Sequence, residues 1–421
     1  MQNVAKKQSL WNRIEQYIKI NHMRYLERKY GRDVIKPALV NYGDVNNILV
    51  LRQHDQLGDF LLSTPVLRAL REHFPKARIG VVVRDYFADT VEKSPFVDEI
   101  LIFHEDGKKW TLRKLRAFWK QLRSGWDMAI VLNTVSHSLT TDLIAHFSKA
   151  KYILGSEHKV FAECSRNFFY NLVAPYWPNE RHQTDRNLDI VRHIGVDTND
   201  LTENMHIDSA EIAAAGKVLI DLDFQPGQLT IGMHVGAGKM FNRWPIGRFG
   251  ELAQLLKERH DVQIVLFWGP GEQQLSEHFC KYTQFDPIKV PPSTIRKLAA
   301  SFKNCDAIVC NDTGVMHLAA AADVPLVAIF GPTDPAEWKP IGDKFVALRG
   351  NRKSTDAISV EHVYSTLGKL LPQKIRISAE LSETLDQSFH KDGIKANFDI
   401  SESVLDRIDQ SLKNYSKAMK E

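Results

Sequence analysis

The sequence predicts an α/β protein built of two doubly wound domains in series. Three observations carry this. Short apolar runs such as Ile48–Leu51 and Leu326–Phe330 lack polar alternation, as parallel strands buried on both faces do. Segments with helical spacing alternate with those runs. The alternation stops across 160–228, where Pro175, Pro178, Pro226 and Gly227 punctuate the chain, and it restarts at Thr230. A length of 421 residues accommodates two or three domains at roughly 150 residues each.

In residues 9–30, SLWNRIEQYIKINHMRYLERKY, the residues Leu10, Ile14, Tyr17, Ile18, Met23, Tyr25 and Leu26 recur at roughly helical spacing between basic side chains. The spacing predicts a helix that packs on the body or lies on anionic lipid. The first α/β unit then reads strand 48–51, helix 61–73, strands 79–83 and 99–103, helix 112–123, strand 128–132, helix 139–148 and strand 152–154. A helix at 209–222 precedes the break at 225–228. The second unit reads strand 230–234, helix 247–259, strand 262–267, helices 272–282 and 294–302, strand 307–310, helix 315–322 and strand 326–330. A last helix covers 360–371, and the remainder to 421 is a polar tail.

Bulk properties narrow the function. The net charge is +4, too small to suggest nucleic acid. Residues 1–37 hold nine cations and three carboxylates, hence +6, and the rest of the chain nets −2. The basic extension therefore sits on a slightly acidic body. Cys164, Cys280, Cys305 and Cys310 have no CxxC spacing, so reduced thiols in a cytoplasmic protein are expected. No apolar run approaches the roughly 18 residues of a membrane span. Asp221-Leu-Asp223 superficially resembles a metal-holding DxD, but it falls away from any strand end.

Four stretches fall where a strand gives way to a loop or helix, the place where such sheets bind ligands. In LGDFLLSTPVLRALREHFP, Gly58-Asp59 lies where a helix begins, so Asp59 reads either as a first-turn carboxylate kept ionised by the helix or as a general base. His234-Val-Gly-Ala-Gly-Lys239-Met-Phe-Asn242-Arg243-Trp244-Pro245 is a glycine-rich basic loop able to meet phosphate through Lys239 and Arg243. Trp268-Gly-Pro-Gly-Glu272 offers a carboxylate either to sugar hydroxyls or to a helix terminus. Asn311-Asp312-Thr313-Gly314-Val-Met-His317 opens a helix whose free N–H groups face the cleft.

Taken together these residues resemble glycosyltransferase family 9, the bacterial lipopolysaccharide heptosyltransferases, from about Asn46 to Leu371. The most specific parts are LGDFLLSTPVLRALREHFP and NDTGVMHLAAAADVPLVAIFGPTDPAEWKP. The resemblance implies a GT-B fold: two facing Rossmann-like, doubly wound parallel-sheet domains with an interdomain cleft. It implies inverting, metal-independent transfer of heptose from ADP-heptose onto a lipopolysaccharide inner core or related glycan, with no cofactor. It makes Asp59 the base. Lys239, Arg243, Glu272, Asp312, Thr313, Gly314 and His317 become the donor side, and Arg52, Gly58 and Thr64 the acceptor side or its loop support. Asn242 departs from the lysine that many relatives carry before the tryptophan, so Lys239 or Arg243 is expected to meet the diphosphate instead.

The expected organisation is a basic helical extension (1–45), an acceptor domain (46–225), a donor domain (226–350), a C-terminal helix (351–372) and a tail (373–421). The expected partners are a nucleotide-sugar donor and a glycan acceptor, with no nucleic acid. An inner-membrane surface contact is expected through residues 9–30. The rival readings are a different nucleotide sugar, a nucleotide-sugar epimerase that needs no acceptor, and a binding protein that has kept the fold.

Overall fold

The computed structural model describes residues 10–158, 160–161, 164–177, 181–351, 353–371 and 395–397. Lys6 and Lys7 of the basic extension and most of the 373–421 tail lie outside the described residues.

The strands are β1 (Asn47–Leu51), β2 (Arg78–Arg84), β3 (Glu99–Phe103), β4 (Met128–Val131), β5 (Tyr152–Ser156), β6 (Leu172–Ala174), β7 (Leu229–His234), β8 (Val262–Phe267), β9 (Ile288–Val290), β10 (Ala307–Asn311), β11 (Leu326–Phe330), β12 (Phe345–Arg349) and β13 (Lys395–Asn397). The helices are α1 (Leu10–Tyr30), α2 (Leu57–Leu61), α3 (Thr64–His73), α4 (Leu112–Leu122), α5 (Leu139–Phe147), α6 (Gln183–Arg192), α7 (Ser209–Ile220), α8 (Ile246–Arg259), α9 (Gln273–Phe279), α10 (Ile295–Phe302), α11 (Gly314–Ala321), α12 (Pro335–Trp338) and α13 (Val360–Leu370).

The first sheet has strand order β3-β2-β1-β4-β5-β6 and is parallel throughout. The second repeats that order as β9-β8-β7-β10-β11-β12, also parallel, with β13 added antiparallel at the β12 edge. Ile48, Leu49, Val50 and Leu51 of β1 are all fully buried, as are Leu326 to Phe330 of β11. Each valine, leucine, isoleucine or phenylalanine among them contributes about 1.5–3 kcal/mol through its removal from water. In both sheets the strand order reverses beside the first strand, between β1 and β4 and between β7 and β10. Crevices open at such switch points.

Several expectations change. The helix expected over 61–73 is two helices, and Asp59 lies in the first of them. Pro65 has no N–H for the Leu61 carbonyl, which the Thr64 hydroxyl takes instead at 2.7 Å. Strand β6 falls in the stretch expected to be less regular, and β9 and β12 fall where no element was expected. The less regular stretch also holds α6, which buries Gln183, Thr184, Asp185 and Asn187 alongside Leu188, Ile190 and Val191. Asp185 meets Arg192 at 3.0 Å. The N-terminal helix packs through its C-terminal end: Leu26 is buried, and Tyr30 meets His146 with ring centroids 4.6 Å apart.

One arginine ties the halves together. Arg296 of α10 donates to both Glu211 oxygens on α7, with Nη2–Oε2 at 2.7 Å. It also donates to the carbonyls of Asp89 (3.2 Å) and Glu92 (2.9 Å) beside the first sheet, and to that of His206 (2.8 Å). The Arg296 hydrogen bonds hold the Glu211 pKa down to about 2. A depressed carboxylate stabilises the fold above its unfolded value, so this contribution is full above about pH 4.5 and is lost as pH falls toward about 2. Replacing Arg296 by alanine is expected to lower stability in urea unfolding by roughly 1.5–3 kcal/mol, because hydrogen bonds to a charged group are lost. A loss of only about 0.5 kcal/mol, ordinary for a surface change, would remove Arg296 as the tie. In a Glu211→Gln protein the part of the acid loss assigned to this carboxylate should be absent.

Candidate functional site

The site is built where the two switch points meet. Beyond β1 the chain enters Arg52–Gln56 and then α2. Arg52 is 1% exposed and organises this loop. Its guanidinium donates to the Leu132 carbonyl and, at 3.1 Å, to the Asp59 carbonyl, and lies 3.2 Å from the Asp55 carboxylate. Thr64 accepts the Asn204 N–H at 2.9 Å, which joins the start of α3 to the interdomain segment. Both residues therefore support the loop, and neither faces the opening.

Asp59 stands in the first turn of α2, its Oδ2 accepting the Gln56 N–H at 3.1 Å. The expectation of a carboxylate held firmly ionised by the helix terminus needs correction. Burial raises the Asp59 pKa, and the Arg52 charge and the Gln56 N–H only partly oppose it. The result is a stronger base than a solvent-exposed aspartate.

From the second sheet, β10 runs into Asp312, and Thr313 caps α11 by accepting the Val315 N–H at 3.2 Å. The two helix starts abut. A Cβ on Gly58 would lie 2.6 Å from Cδ2 of His317, and a Cβ on Gly314 would lie 3.4 Å from the Leu57 Cβ. Any larger residue at 58 would drive the His317 ring away. That ring is fixed from behind: Nδ1 lies 2.8 Å from Oε1 of Glu203, in the segment between α6 and α7. Burial works to lower the His317 pKa, but Glu203, aided by Asp312 and Asp59, more than offsets this, and the net shift is upward. Burial also raises Asp312, against the Thr333 hydrogen bond and the His317 and Lys239 charges. The cleft thus presents Asp59 on one wall, Asp312 on the other and, between them, a histidine whose pKa is raised by the surrounding carboxylates.

The remaining donor-side residues form a separate cluster after β7. Buried Asn311 donates to the Val235 and Gly236 carbonyls, each at 3.1 Å, and pins this loop to β10. Asn242 is buried and donates to the Asp312 Oδ2 at 3.1 Å. Arg243 is already engaged, by the Ala237 carbonyl at 2.8 Å and by Glu272 at 3.2 Å. Glu272 also accepts the Gly269 N–H at 2.9 Å and lies against Gly236, where a Cβ would overlap it. Lys239 is exposed, its ammonium 5.8 Å from the Phe241 ring centroid, and among the described residues it makes no ion pair. It is the cation of this loop available to a ligand.

Two cavities flank the meeting point. One of about 500 Å³ adjoins the β7 loop and is lined by Met240, Phe241, Arg243, Trp244 and Thr355 among others. One of about 550 Å³ lies beside Gln56 and is lined by Arg84, Asp85, Tyr86, Glu105 and Lys109. Its cations are paired, Arg84 with Glu105 and Lys109 with Asp85, each at 2.8 Å. Tyr86 accepts the Leu57 N–H and feels the Asp59 charge. Sequence reasoning missed Glu203, Asn311 and Tyr86. Glu203 and Tyr86 lie in no motif; Asn311 opens the Asp312-Thr313-Gly314 stretch, but its hold on the β7 loop gave no signal.

A model of glycosyltransferase family 9 (heptosyltransferase) matches residues 115–366. Lipooligosaccharide heptosyltransferase 2 of Haemophilus influenzae is 24% identical over 319 residues, 72% of this chain and 88% of its own. The crystal structure of a family 9 glycosyl transferase from Veillonella parvula has a TM-score of 0.68 at 22% identity, over 78% of this chain and 98% of that one. The E. coli ADP-heptose lipopolysaccharide heptosyltransferase II structure has a TM-score of 0.63 at 21% identity, over 78% and 99%. With the paired parallel sheets, these likenesses give the chain the GT-B arrangement.

The Glu203–His317 pair is open to direct measurement. Replacing Glu203 by glutamine removes the charge that offsets burial, so the His317 pKa should fall. In an NMR titration the wild-type imidazole should keep its proton above the ordinary value of 6.5, and the variant should lose it below. An unchanged titration would show that Glu203 does not set the charge of His317.

Proposed function

The chain belongs to glycosyltransferase family 9, and we propose that it moves heptose from ADP-heptose onto a saccharide hydroxyl of a lipopolysaccharide inner core or related glycan, with inversion and without a metal. Heptosyltransferase-type glycosyl transfer is the common property of the family model and the relatives. The donor, the acceptor, the stereochemistry and the residue roles are our reading. In it, residues 46–225 form the acceptor half and 226–350 the donor half.

The observation that carries the reading is the contact of Gly58 with His317, which sets Asp59 opposite Asp312-Thr313-Gly314. The acceptor saccharide occupies the polar cavity beside Gln56 and Tyr86. Asp59 takes the proton from its hydroxyl as that oxygen attacks the anomeric carbon and the bond to the diphosphate breaks. Charge then grows on the leaving diphosphate. The N–H groups at the start of α11, together with Lys239, meet it, and such preorganised donors favour the transition state over the ground state. Asn242 is neutral and committed to Asp312, so the cation comes from Lys239 and not from the position that carries lysine in many relatives. Closure of the two halves excludes water and aligns the reactants.

Asp59→Asn should lower transfer by roughly 10²–10⁴-fold and leave ADP-heptose binding, measured by calorimetry, nearly intact. Near-wild-type turnover would remove Asp59 as the base. The same assay run with a chelator should keep its rate, and a loss restored by a divalent cation would overturn the metal-free part. A thermal-shift panel tests the donor: ADP-sugars should raise the melting temperature more than UDP- or GDP-sugars, and the reverse order would exclude ADP-heptose.

A further inference from the structure

Helix α4 exposes an apolar line among cations. Its sequence, LRKLRAFWKQL, buries only Phe118 and Leu122 against the first sheet. Leu112 is 74% exposed, Leu115 39% and Trp119 38%. Their spacing of three and four residues puts them in one line on the helix. Arg113, Lys114, Arg116, Lys120 and Arg123 surround that line, all exposed, and no carboxylate occurs between Asp106 and Asp127. The rest of the chain is not basic in this way, since the body beyond the N-terminal extension nets −2.

The patch continues beyond the helix. The Trp119 ring meets Phe147 at the end of α5, centroids 5.7 Å apart, and Arg123 lies over Trp119 at 5.3 Å. Past Phe147, His146 touches Tyr30 of α1, where Lys29 lies over Tyr25 and Tyr30 at 5.5 and 5.2 Å. At the other end, the loop that leads into α4 carries Glu105 and Lys109, which line the polar cavity beside Gln56.

We infer that this face docks on an anionic phospholipid surface, with α4 lying in the interface and the acceptor cavity held at the level of the headgroups. Cations alone would suit a polynucleotide equally well. The line of exposed Leu112, Leu115 and Trp119 among those cations is what fits a bilayer, since side chains of this kind enter the boundary between headgroups and acyl chains. Among the described residues no helix is long and apolar enough to cross a membrane, so the contact is peripheral. It involves α4 in addition to the 9–30 segment singled out in the sequence. A saccharide carried on a lipid would then reach Asp59 without leaving the surface. The docking itself does not rest on the transferase reading, because vesicle binding is measured without any sugar donor.

The test is sedimentation of the full chain with phosphatidylcholine vesicles that contain or lack phosphatidylglycerol. The protein should pellet with the anionic vesicles, release as salt rises, and stay in solution with phosphatidylcholine alone. Lys114→Gln/Arg116→Gln/Lys120→Gln should weaken binding by roughly tenfold or more. Leu112→Ser/Trp119→Ser should also weaken it while the cations remain. These side chains are exposed, and thermal melts identical to wild type would confirm that the variants fold. Wild-type binding in both variants would assign the contact to another surface and overturn the proposal. Binding to single-stranded DNA without binding to vesicles would overturn it in favour of a polynucleotide.

Discussion

The contact between Gly58 and the His317 ring is the constraint on which the site depends. Two helices that start at the carboxyl ends of two different sheets come together there, and only hydrogen at position 58 allows the approach. That approach sets the electrostatics on both sides. It buries Asp59 and Asp312 enough to raise both carboxylates, and it leaves between them His317, whose pKa is raised by Glu203 with help from Asp312 and Asp59. A low-dielectric gap strengthens each of these interactions relative to water. Without the contact, Asp59 would be an ordinary first-turn aspartate in an open loop.

The half proposed to hold the donor solves a different problem. Its loop after β7 must stay open to a ligand without collapsing on its own charges. Arg243 and Glu272 satisfy each other, Asn311 fixes the loop backbone, and Asn242 orients Asp312. These bonds leave Lys239 exposed on a loop whose shape is otherwise determined. Charge is thus divided between fixed pairs that hold the architecture and one cation that can respond to a ligand.

What the sequence made legible follows from how each element is stabilised. β1, β8, β10 and β11 are apolar runs buried on both faces, and their pattern survives reading without a structure. α6 was hard to see because its first turns bury Gln183, Thr184, Asp185 and Asn187, so only Leu188, Ile190 and Val191 near its end mark an apolar face. The split between α2 and α3 was readable in principle from Thr64-Pro65, since the proline removes the donor that a continuous helix needs. Asp59 and Asp312 announced themselves at strand ends, but the reason for Gly58 did not. It depends on a histidine 259 positions later in the chain (317 − 58). Glu203 lies in an irregular segment, and its role exists only through a tertiary contact. The change at Asn242 could be seen in the sequence, yet its bond to Asp312 could not.

The repeated strand order has a further consequence for how the molecule assembles. Each sheet is a complete doubly wound unit with one face packed in a cluster of its own and the other in a cluster shared between the halves, and chains of this size acquire structure domain by domain. Neither unit alone holds both Asp59 and Asp312. Secondary structure and buried tryptophan can therefore be recovered in either half before any site exists. On refolding, the return of turnover times the docking of the halves and not the folding of either one.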